Sequence, residues 1–446
     1  MEKLSIDFIL KSVNGTLFNE NPSLIEISSI STDSREIKEN SLFIPLIGKT
    51  FDGHYFIEKA FENKASISLS SRKLNTDKPY IKVNDTLNSL HCIAKDYLRT
   101  LNLGRICITG STGKTTIKNL LSSSIIEKET VSTEGNTNNL IGVPYNIFRC
   151  SKNTKYAVFE MGINMKGELK TLSEITRPTH IIITSVNNSH IGNFKSFEDI
   201  IDTKLEIFSG YENLSSPVII NGDNKTVIEK IRKFKHVTFG LGSKNDFQPE
   251  NLTILKNKNE IEIESKKYTI SIPGIGGVYA FLAVYAFMRT FPEISIDIEK
   301  GLENFIQPES RMNIFQLSGL TLIDDSYNAS PASMANAIDV LSKFSARKVA
   351  ILSDMLELGA MSDELHKNVG EELNSKEIDV LIAVGDYSKK YFEVFKKEKY
   401  YFIKREDMEK KIFFILNNKD IVLIKGSHST RMDETAKLLK EHYNVV

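Results

Sequence analysis

The sequence predicts an α/β protein of three domains, and three observations carry this prediction. Short apolar runs recur along the chain and alternate with stretches whose apolar residues are spaced three or four positions apart, as in amphipathic helices. Apolar runs of this kind are typical of strands that are buried on both faces of a parallel sheet. The length of 446 residues exceeds what one hydrophobic core usually organises, so two or three domains are expected.

The first predicted domain covers residues 1–84. It contains the apolar run LFIPL at residues 42–46, the turn FDGH at residues 51–54 and a helical pattern over residues 56–61. A second helical pattern over residues 86–101 leads into the next block, so we place the first boundary before it. These features predict a small α/β module.

The second predicted domain covers residues 85–309 and repeats the order strand, loop and helix. Its strands are predicted at residues 106–108, 157–159, 181–183 and 218–220. Around residues 251–272 lysine, glutamate and isoleucine alternate, which favours an antiparallel hairpin at the edge of the sheet. We therefore expect a mainly parallel sheet in this domain.

The third predicted domain covers residues 310–446 and begins after Gln307-Pro308. Its strands are predicted at residues 320–323, 349–352, 380–384 and 421–424. Helical stretches separate these runs, so a second parallel sheet of Rossmann-like α/β architecture is expected.

Composition excludes several classes of protein. The 57 basic residues balance 57 acidic ones, so no electrostatic argument favours binding to nucleic acid or to a membrane surface. Cys92, Cys107 and Cys150 form no C-x-x-C pair, which argues against a disulfide framework or a zinc site. No apolar stretch approaches the length of a membrane span, and residues 1–10 lack the pattern of a signal peptide. We expect a cytoplasmic protein without membrane insertion.

The motif TGSTGKTT, at residues 109–116, follows an apolar run and opens a helical pattern. This order presents backbone N–H groups to a polyphosphate, while Lys114 can reach its β- and γ-phosphates and Thr115 can offer a hydroxyl to Mg²⁺. The alternative is a chance glycine turn that opens a helix. The spacing is that of a short G-x-x-G-K-T phosphate loop, because Ile108 stands where a common P-loop has glycine. The candidate nucleotide-binding residues of a P-loop ATPase domain are therefore Gly110, Ser111, Thr112, Gly113, Lys114, Thr115 and Thr116.

Two further side chains of this block follow predicted strands. Glu160 comes after the second strand and His190 lies in the loop after the third, so both can face the phosphates and help to hold Mg²⁺. Each can equally be an ordinary loop or core residue. Lys204 lies on the next predicted helix, where a solvated surface lysine is the default expectation.

Amide and hydroxyl side chains are concentrated in the segment TEGNTNNLIGVP, at residues 133–144. Asn138 and Asn139 suit phosphate oxygens and an acyl group, although a set of Asx-turns explains them equally well.

Polar loops also follow three strands of the third block, at residues 324–331, 353–359 and 425–428. Together they predict a second ligand-facing edge, although the acidic pair Asp324 and Asp325 can instead cap the helix that follows it.

Taken together, these motifs resemble those of the Mur ligase family of peptidoglycan synthesis, most closely its MurF type. The resemblance runs almost end to end, and the segments DMLELG and DDSYNA are the most specific. The matching segments are STDSR, LFIPLIGKTFDGHYF, TGSTGKTT, TEGNTNNLIGVP, EMG, the loop of His190, TKLEIF, SRMN, IDDSYNASPASM, LSDMLELG and KGSHSTR.

The resemblance implies an ATP-dependent amide ligase with a UDP-sugar domain, a central ATPase and a domain for the incoming amine. Its substrates would be a UDP-muramoyl-tripeptide and D-Ala-D-Ala, joined through an acyl phosphate with the help of ATP and Mg²⁺. A monomer that binds no nucleic acid is expected.

The resemblance also implies roles for individual residues. Lys204 matches a family lysine that is carbamylated and joins Thr115, Glu160 and His190 at the metal site. Arg311 would contact ATP phosphate, with Asp325 as an acidic partner, and Asn138 and Asn139 would lie near the phosphates and the acyl donor. The residues implied for substrate binding are Ser34, Arg35, Asp52, Gly53, Asn328, Ser330, Lys425 and Ser427.

Three segments depart from the family pattern. The motif G-x-H-N-x-x-N is replaced by residues 274–280, in which Gly276, Gly277 and Ala280 stand for the histidine and the two asparagines. The segment before His190 differs from T-N-x-G-x-A-H-L, and His428 replaces the first arginine of the last loop. A ligase of a specialised pathway with another acid and amine, and a binding paralogue without turnover, therefore stand as alternatives.

Overall fold

The computed structural model describes residues 1–19, 26–189 and 191–445. Their strands form two six-stranded sheets and three smaller ones, with helices packed on both faces of the large sheets. The α/β class and the three-domain organisation are confirmed. No helix of the described part combines the length and the hydropathy that crossing a membrane requires.

The N-terminal region is built on a five-stranded sheet of order β2-β7-β6-β5-β4, in which only the β2–β7 pair is antiparallel. Strand β1 pairs with β3 outside this sheet. The strands are β1 (Leu4–Ser5), β2 (Thr16–Phe18), β3 (Glu26–Ile27), β4 (Ser29–Ser31), β5 (Ser41–Phe43), β6 (Ala65–Ser70) and β7 (Tyr80–Lys82). The helices are α1 (Ile6–Val13) and α2 (Ile57–Glu62), the latter preceded by a 3₁₀ turn at Gly53–Phe56.

The central region contains a six-stranded, all-parallel sheet of order β13-β12-β11-β8-β10-β9. All four predicted strands are confirmed, and less apolar strands occupy both edges. The strands are β8 (Gly104–Thr109), β9 (Thr130–Ser132), β10 (Tyr156–Glu160), β11 (His180–Ile183), β12 (Val218–Asn221) and β13 (His236–Phe239). The helices are α3 (Thr86–Arg99), α4 (Lys114–Ser124), α5 (Gly142–Phe148), α6 (Glu168–Thr176), α7 (Phe197–Leu205) and α8 (Lys225–Lys230).

The antiparallel hairpin predicted around residues 251–272 forms, but its predicted place at the edge of the parallel sheet is wrong, because three strands make an antiparallel sheet of their own. These are β14 (Asn251–Ile254), β15 (Asn259–Ile263) and β16 (Lys266–Ile270), followed by helices α9 (Gly274–Thr290) and α10 (Ile298–Glu303). Glu264 and Ser265 connect β15 to β16 with φ of 49° and 59°, as the twist of a two-residue hairpin requires. The alternate residues Ile261 and Ile263 face inward and pack against α9, so this sheet covers a helix.

The C-terminal region contains a six-stranded sheet of order β17-β18-β22-β19-β20-β21, in which only the edge strand β17 is antiparallel. All four predicted strands are confirmed. The strands are β17 (Asn313–Leu317), β18 (Leu320–Asp324), β19 (Lys348–Ser353), β20 (Val380–Val384), β21 (Glu398–Phe402) and β22 (Ile421–Lys425). The helices are α11 (Pro331–Ser342), α12 (Ser362–Ser375), α13 (Lys389–Val394), α14 (Arg405–Glu409), α15 (Ile412–Ile415) and α16 (Met432–Tyr443).

Two glycines meet where the central and C-terminal regions touch. The N–H of Gly192 donates to the carbonyl oxygen of Glu357 at 2.8 Å. A Cβ atom on Gly192 would lie 2.6 Å from the nitrogen of Gly359, and one on Gly359 would lie 2.8 Å from the Cα of Gly192. The backbones therefore approach more closely than any side chain would allow.

Candidate functional site

The carboxyl ends of the two large sheets face one cleft of about 1150 Å³. This arrangement follows from the parallel strands, whose carboxyl ends gather ligand-binding loops at one edge of each sheet. The predicted site residues that line the cleft are Gly110, Ser111, Thr112, Gly113, Lys114, Thr115, Thr116, Asn138, Asn139, Glu160, Lys204, Arg311, Asp325, Asn328, Ser330, Lys425 and Ser427. His190 lies outside the described residues, so its role stays a prediction.

The glycine loop joins β8 to α4, as the motif predicts. Gly110 has φ of 142°, and a Cβ atom there would lie 1.8 Å from Oγ1 of Thr184. Gly113 has φ of 87° and open space around it. Gly110 is therefore required by both packing and backbone conformation, and Gly113 by conformation alone.

The loop is tied to the segment that follows β11. The N–H of Ser111 donates to the carbonyl oxygen of Ser185 at 2.7 Å, and Oγ1 of Thr184 donates to the carbonyl oxygen of Thr112 at 2.7 Å. The hydroxyl of Ser111 donates to the carbonyl oxygen of Asn187 at 3.2 Å. These bonds fix the loop in a shape that suits binding of an anion by its backbone N–H groups.

Lys114 curls back over this loop. Its Nζ donates to the carbonyl oxygens of Gly110 at 2.8 Å and of Ser111 at 3.3 Å. Burial lowers the pKa of Lys114; the Glu160 carboxylate opposes this shift, while the Arg311 guanidinium adds to it. The ammonium thus lies against the glycine turn, where it can neutralise phosphate charge.

The side chain of Glu160 is suited to a metal ion. It is 2% exposed, and Nδ2 of Asn138 donates to its Oε1 at 2.8 Å. Its Oε2 is buried and forms no hydrogen bond with any described residue. A buried carboxylate oxygen without a partner is costly unless a cation or a donor binds it, so the oxygen donors here fit Mg²⁺. The described residues contain no cluster of three or more His, Cys, Asp or Glu side chains that could form a metal site by themselves.

Lys204 is buried, so the default expectation of a solvated lysine is wrong. It is 5% exposed at the end of α7 and lines the same cleft. Burial, with a smaller contribution from the positive charge of Lys114, holds the pKa of Lys204 well below its usual value. A lowered pKa increases the fraction of the neutral amine, which is the nucleophilic form.

The buried ion pair of Lys425 and Asp325 lies next to the backbone that carries Arg311. Nζ of Lys425 lies 2.6 Å from Oδ2 of Asp325, and the N–H of Met312 donates to Oδ1 of Asp325 at 3.0 Å. Burial raises the pKa of Asp325, while the Lys425 ammonium opposes this rise. The guanidinium of Arg311 lies 3.9 Å from the ring centroid of Tyr327, on the cleft side. Asp325 therefore positions the backbone that carries Arg311.

Asn138 and Asn139 behave differently. Oδ1 of Asn139 accepts from the N–H groups of Ile141 at 3.0 Å and Gly142 at 2.9 Å, which is an Asx-turn. Asn138 instead directs its amide at Glu160. The Asx-turn interpretation therefore holds for Asn139, while a place for Asn138 near the phosphates and the acyl donor stays a prediction.

Two hydroxyl groups of the C-terminal edge hold its loops. Ser330 caps α11, because its Oγ accepts from the N–H of Ser333 at 3.4 Å within a reciprocal capping box. The expectation that Asp324 or Asp325 caps this helix is wrong. Oγ of Ser427 accepts from the N–H of Leu356 at 2.8 Å, which joins the loops after β22 and β19.

The four candidates of the N-terminal region do not line the cleft. Arg35 is exposed and pairs with Asp33 at 2.6 Å, while Ser34 is buried. Asp52 accepts from the N–H of His54 at 2.9 Å, and a Cβ atom on Gly53 would lie 2.6 Å from the carbonyl oxygen of Leu46. These residues lie in two turns of the N-terminal region, Ser34 and Arg35 after β4 and Asp52 and Gly53 after β5.

Sequence reasoning missed three side chains of the cleft. Tyr279 donates its hydroxyl to Oδ2 of Asp223 at 2.8 Å, and Asn336 reaches the cleft from α11. Asp223 could have been predicted as a site residue only from its position shortly after the apolar run of β12. Tyr279 and Asn336 lie inside helices and have no local signature.

Family models match the chain in three segments. The Mur ligase middle domain matches residues 108–288, the glutamate ligase domain of Mur ligases matches residues 310–428, and the catalytic domain of the Mur ligase family matches residues 26–97. A curated relative from Bacillus subtilis (strain 168), a UDP-N-acetylmuramoyl-tripeptide–D-alanyl-D-alanine ligase, is 32% identical over 99% of both chains. The chain belongs to the Mur ligase family.

Solved structures of the MurF type resemble this Mur ligase over nearly its whole length. MurF from Acinetobacter baumannii superposes with a TM-score of 0.91 at 26% identity, covering 99% of each chain. MurF from Thermotoga maritima, determined in complex with ADP, gives a TM-score of 0.83 at 25% identity, covering 93% of this chain and 97% of the other. The resemblance noted in the sequence therefore extends to the three-dimensional fold.

Proposed function

We propose that this chain is an ATP-dependent ligase that joins D-alanyl-D-alanine to a UDP-N-acetylmuramoyl-tripeptide in the synthesis of peptidoglycan precursors. The observation that carries the proposal is the convergence of Lys114, Glu160, Lys204 and Arg311 on one cleft between two parallel sheets. The full-length likeness to ligases of this name supports the substrate assignment.

The first step would transfer the γ-phosphoryl group of ATP to the carboxylate of the tripeptide. The glycine loop would hold the phosphates through its N–H groups, while Lys114 and Arg311 offset charge on the transferring group. Thr115, Glu160, His190 and a carbamylated Lys204 would hold Mg²⁺, which would supply further positive charge.

In the second step the dipeptide amine would attack the acyl phosphate, forming the amide bond as phosphate leaves. Asn328, Ser330, Lys425 and Ser427 would position the amine at the C-terminal edge. Contact between the central and C-terminal regions would exclude water, which would otherwise hydrolyse the acyl phosphate.

The remaining assignments follow from this function. Residues 1–84 would bind the UDP-sugar through Ser34, Arg35, Asp52 and Gly53. Residues 85–309 would form the ATPase domain and residues 310–446 the domain for the amine. We further propose a cytoplasmic monomer.

The test is phosphate release by the purified protein with ATP, UDP-muramoyl-tripeptide and D-Ala-D-Ala. Release should require both co-substrates and should be lost in Lys114→Ala, whereas Lys128→Ala, at an exposed lysine beyond α4, should retain it. Release with other amines but not with this dipeptide would point to a specialised pathway. If no pair of substrates led to phosphate release, the proposal would be wrong.

A further inference from the structure

The loop after β19, residues 353–359, connects the two regions that form the cleft. The N–H of Leu356 donates to Oγ of Ser427 at 2.8 Å, which joins this loop to the one after β22. The carbonyl oxygen of Glu357 accepts from the N–H of Gly192, in the central region. The residues of the loop that line the cleft are Leu356, Glu357 and Leu358. The shape of this loop therefore decides where the C-terminal wall of the cleft stands.

His366, on α12, binds the backbone of this loop. The N–H of Met355 donates to Nε2 of His366 at 3.0 Å, and both residues are fully buried. Since Nε2 accepts this bond, the proton of the neutral ring is on Nδ1, which donates to the carbonyl oxygen of Ser362 at 2.7 Å. Only the neutral imidazole in this tautomer satisfies both partners.

Aromatic side chains enclose the ring of His366. It stacks on Tyr391 with the ring centroids 4.9 Å apart and the planes inclined by 28°, and its centroid lies 5.6 Å from that of Tyr387. The hydroxyl of Tyr391 donates to the carbonyl oxygen of Ser353 at 3.1 Å, at the start of the same loop. Because the imidazole and Met355 have no exposed surface, water cannot replace the imidazole as the acceptor of this N–H.

The charge of His366 depends on its burial and on its neighbours. The charged and titratable groups on the elements around the ring are Asp363 on α12 with its partner Lys390, Asp339 on α11 with its partner Lys376, Tyr387 and Tyr391 before and within α13, and Asp354 in the loop. Burial lowers the pKa of His366 from its usual 6.5, while the Ser362 carbonyl and the Asp363 carboxylate oppose this shift. The imidazole is therefore neutral at pH 7 and takes up a proton only below pH 6.5.

We infer that neutral His366 is a positioning residue of ligation, which holds residues 353–359 in the shape that meets Ser427 and Gly192. This inference rests on the proposed function, in which Ser427 positions the amine of the dipeptide. A protonated imidazole carries N–H groups on both nitrogens, so its Nε2 would face the N–H of Met355 as donor against donor. The loop would then leave its place at the cleft. Acid should therefore raise the KM for the dipeptide.

Two substitutions separate this positioning from simple packing. His366→Gln keeps one acceptor and one donor on a side chain that does not titrate, whereas His366→Leu fills the space but leaves the N–H of Met355 without an acceptor. His442→Gln, at an exposed histidine of α16, is the matched control. The measurements are the KM for D-Ala-D-Ala and for ATP in the phosphate-release assay as a function of pH. The tautomer of His366 is read from the nitrogen chemical shifts of protein labelled with ¹⁵N-histidine.

At neutral pH we expect His366→Leu to raise the KM for the dipeptide about tenfold, the equivalent of roughly one hydrogen bond, with the KM for ATP unchanged. His366→Gln should retain the KM of the unsubstituted protein for both substrates. The acid limb of kcat/KM for the dipeptide should lie at lower pH in His366→Gln than in the unsubstituted protein and in His442→Gln. The nitrogen spectrum should show a proton on Nδ1 of His366 and none on Nε2.

Three results would each overturn the inference. They are a proton on Nε2 of His366, an acid limb that stays in place in His366→Gln, and an equal rise of both KM values in His366→Leu. The spectrum of the unsubstituted protein and the profile of His366→Gln decide the question even if His366→Leu does not fold. Failure of the proposed function is distinguishable, because the unsubstituted protein would then release no phosphate with this dipeptide, while the spectrum would still report the tautomer.

Discussion

Lys425 and Asp325 form a buried ion pair, 2.6 Å between Nζ and Oδ2, on the strand ends that carry the C-terminal wall of the cleft. The side chain of Lys425 is 2% exposed and that of Asp325 is 13% exposed. Removing one member of such a pair leaves a charge that water cannot reach, so the pair is costly to break even if its net contribution to folding is small.

Asp325→Asn should therefore lower the free energy of unfolding by about 3 kcal/mol and weaken ligation, because the backbone directly after Arg311 loses its anchor. Urea denaturation and steady-state phosphate release measure the two effects. Glu62→Gln, which breaks the exposed pair with Lys59, is the control and should cost less than about 1 kcal/mol. Equal losses in the two variants would contradict the argument.

The two loop glycines should differ in their tolerance of alanine. Gly113→Ala meets no neighbour and should cost about 1–2 kcal/mol for the left-handed backbone alone. Gly110→Ala adds a clash with Thr184 and should displace the loop, with a larger loss of stability and about 10²-fold slower phosphate release. If the two variants had the same free energy of unfolding in urea, the segment after β11 would have to move aside to accommodate the added methyl group.

Lys204 should react with carbon dioxide, since burial and the nearby charge of Lys114 lower the pKa of its amine and so favour the neutral, reactive form. The amine would add to the carbon of CO₂ and release one proton, giving a carbamate. Phosphate release should fall at least about tenfold in CO₂-depleted buffer and recover with bicarbonate.

A carbamate carbon signal from ¹³C-bicarbonate should appear in the unsubstituted protein and in Lys230→Ala, whose lysine pairs with Asp202 at the surface. Lys204→Ala should show neither the signal nor the response to bicarbonate. A signal that persists in Lys204→Ala would place the carbamate elsewhere.

His180 should make the fold sensitive to acid. Burial lowers its pKa to about 4, with the ring packed edge-on at 4.6 Å from that of Phe291. In the unfolded chain the imidazole of His180 takes up a proton near pH 6.5, whereas in the folded protein it does so only near pH 4. The free energy by which neutral His180 stabilises the fold is therefore fully present above pH 6.5 and is lost as the pH falls toward 4. The loss amounts to about 3 kcal/mol.

The measurement is the free energy of unfolding as a function of pH for the unsubstituted protein and for His180→Gln. The variant should show a shallower decline between pH 6.5 and 4. Parallel curves over that window would assign the decline to other groups.

The sequence was sufficient for the strands of both large sheets and for the glycine loop. Runs such as residues 181–183 and 421–424 are apolar on both faces, and their burial dictates a strand in the middle of a sheet. Edge strands such as Thr130–Ser132 have no such pattern, because they bury less surface.

The site was predictable only where a residue follows a strand or belongs to a motif. Glu160 and Asp325 satisfy this condition, and the cleft contains both. Asn336 does not, because its place depends on how α11 packs beside α9. The burial of Lys204 is likewise a property of tertiary packing and has no local signature.

The meeting of Gly192 and Gly359 has a consequence for motion. At this one point of contact neither backbone carries a side chain, so no rotamer has to rearrange there when the two regions come together. Any larger residue at either position would act as a wedge that holds the two regions apart.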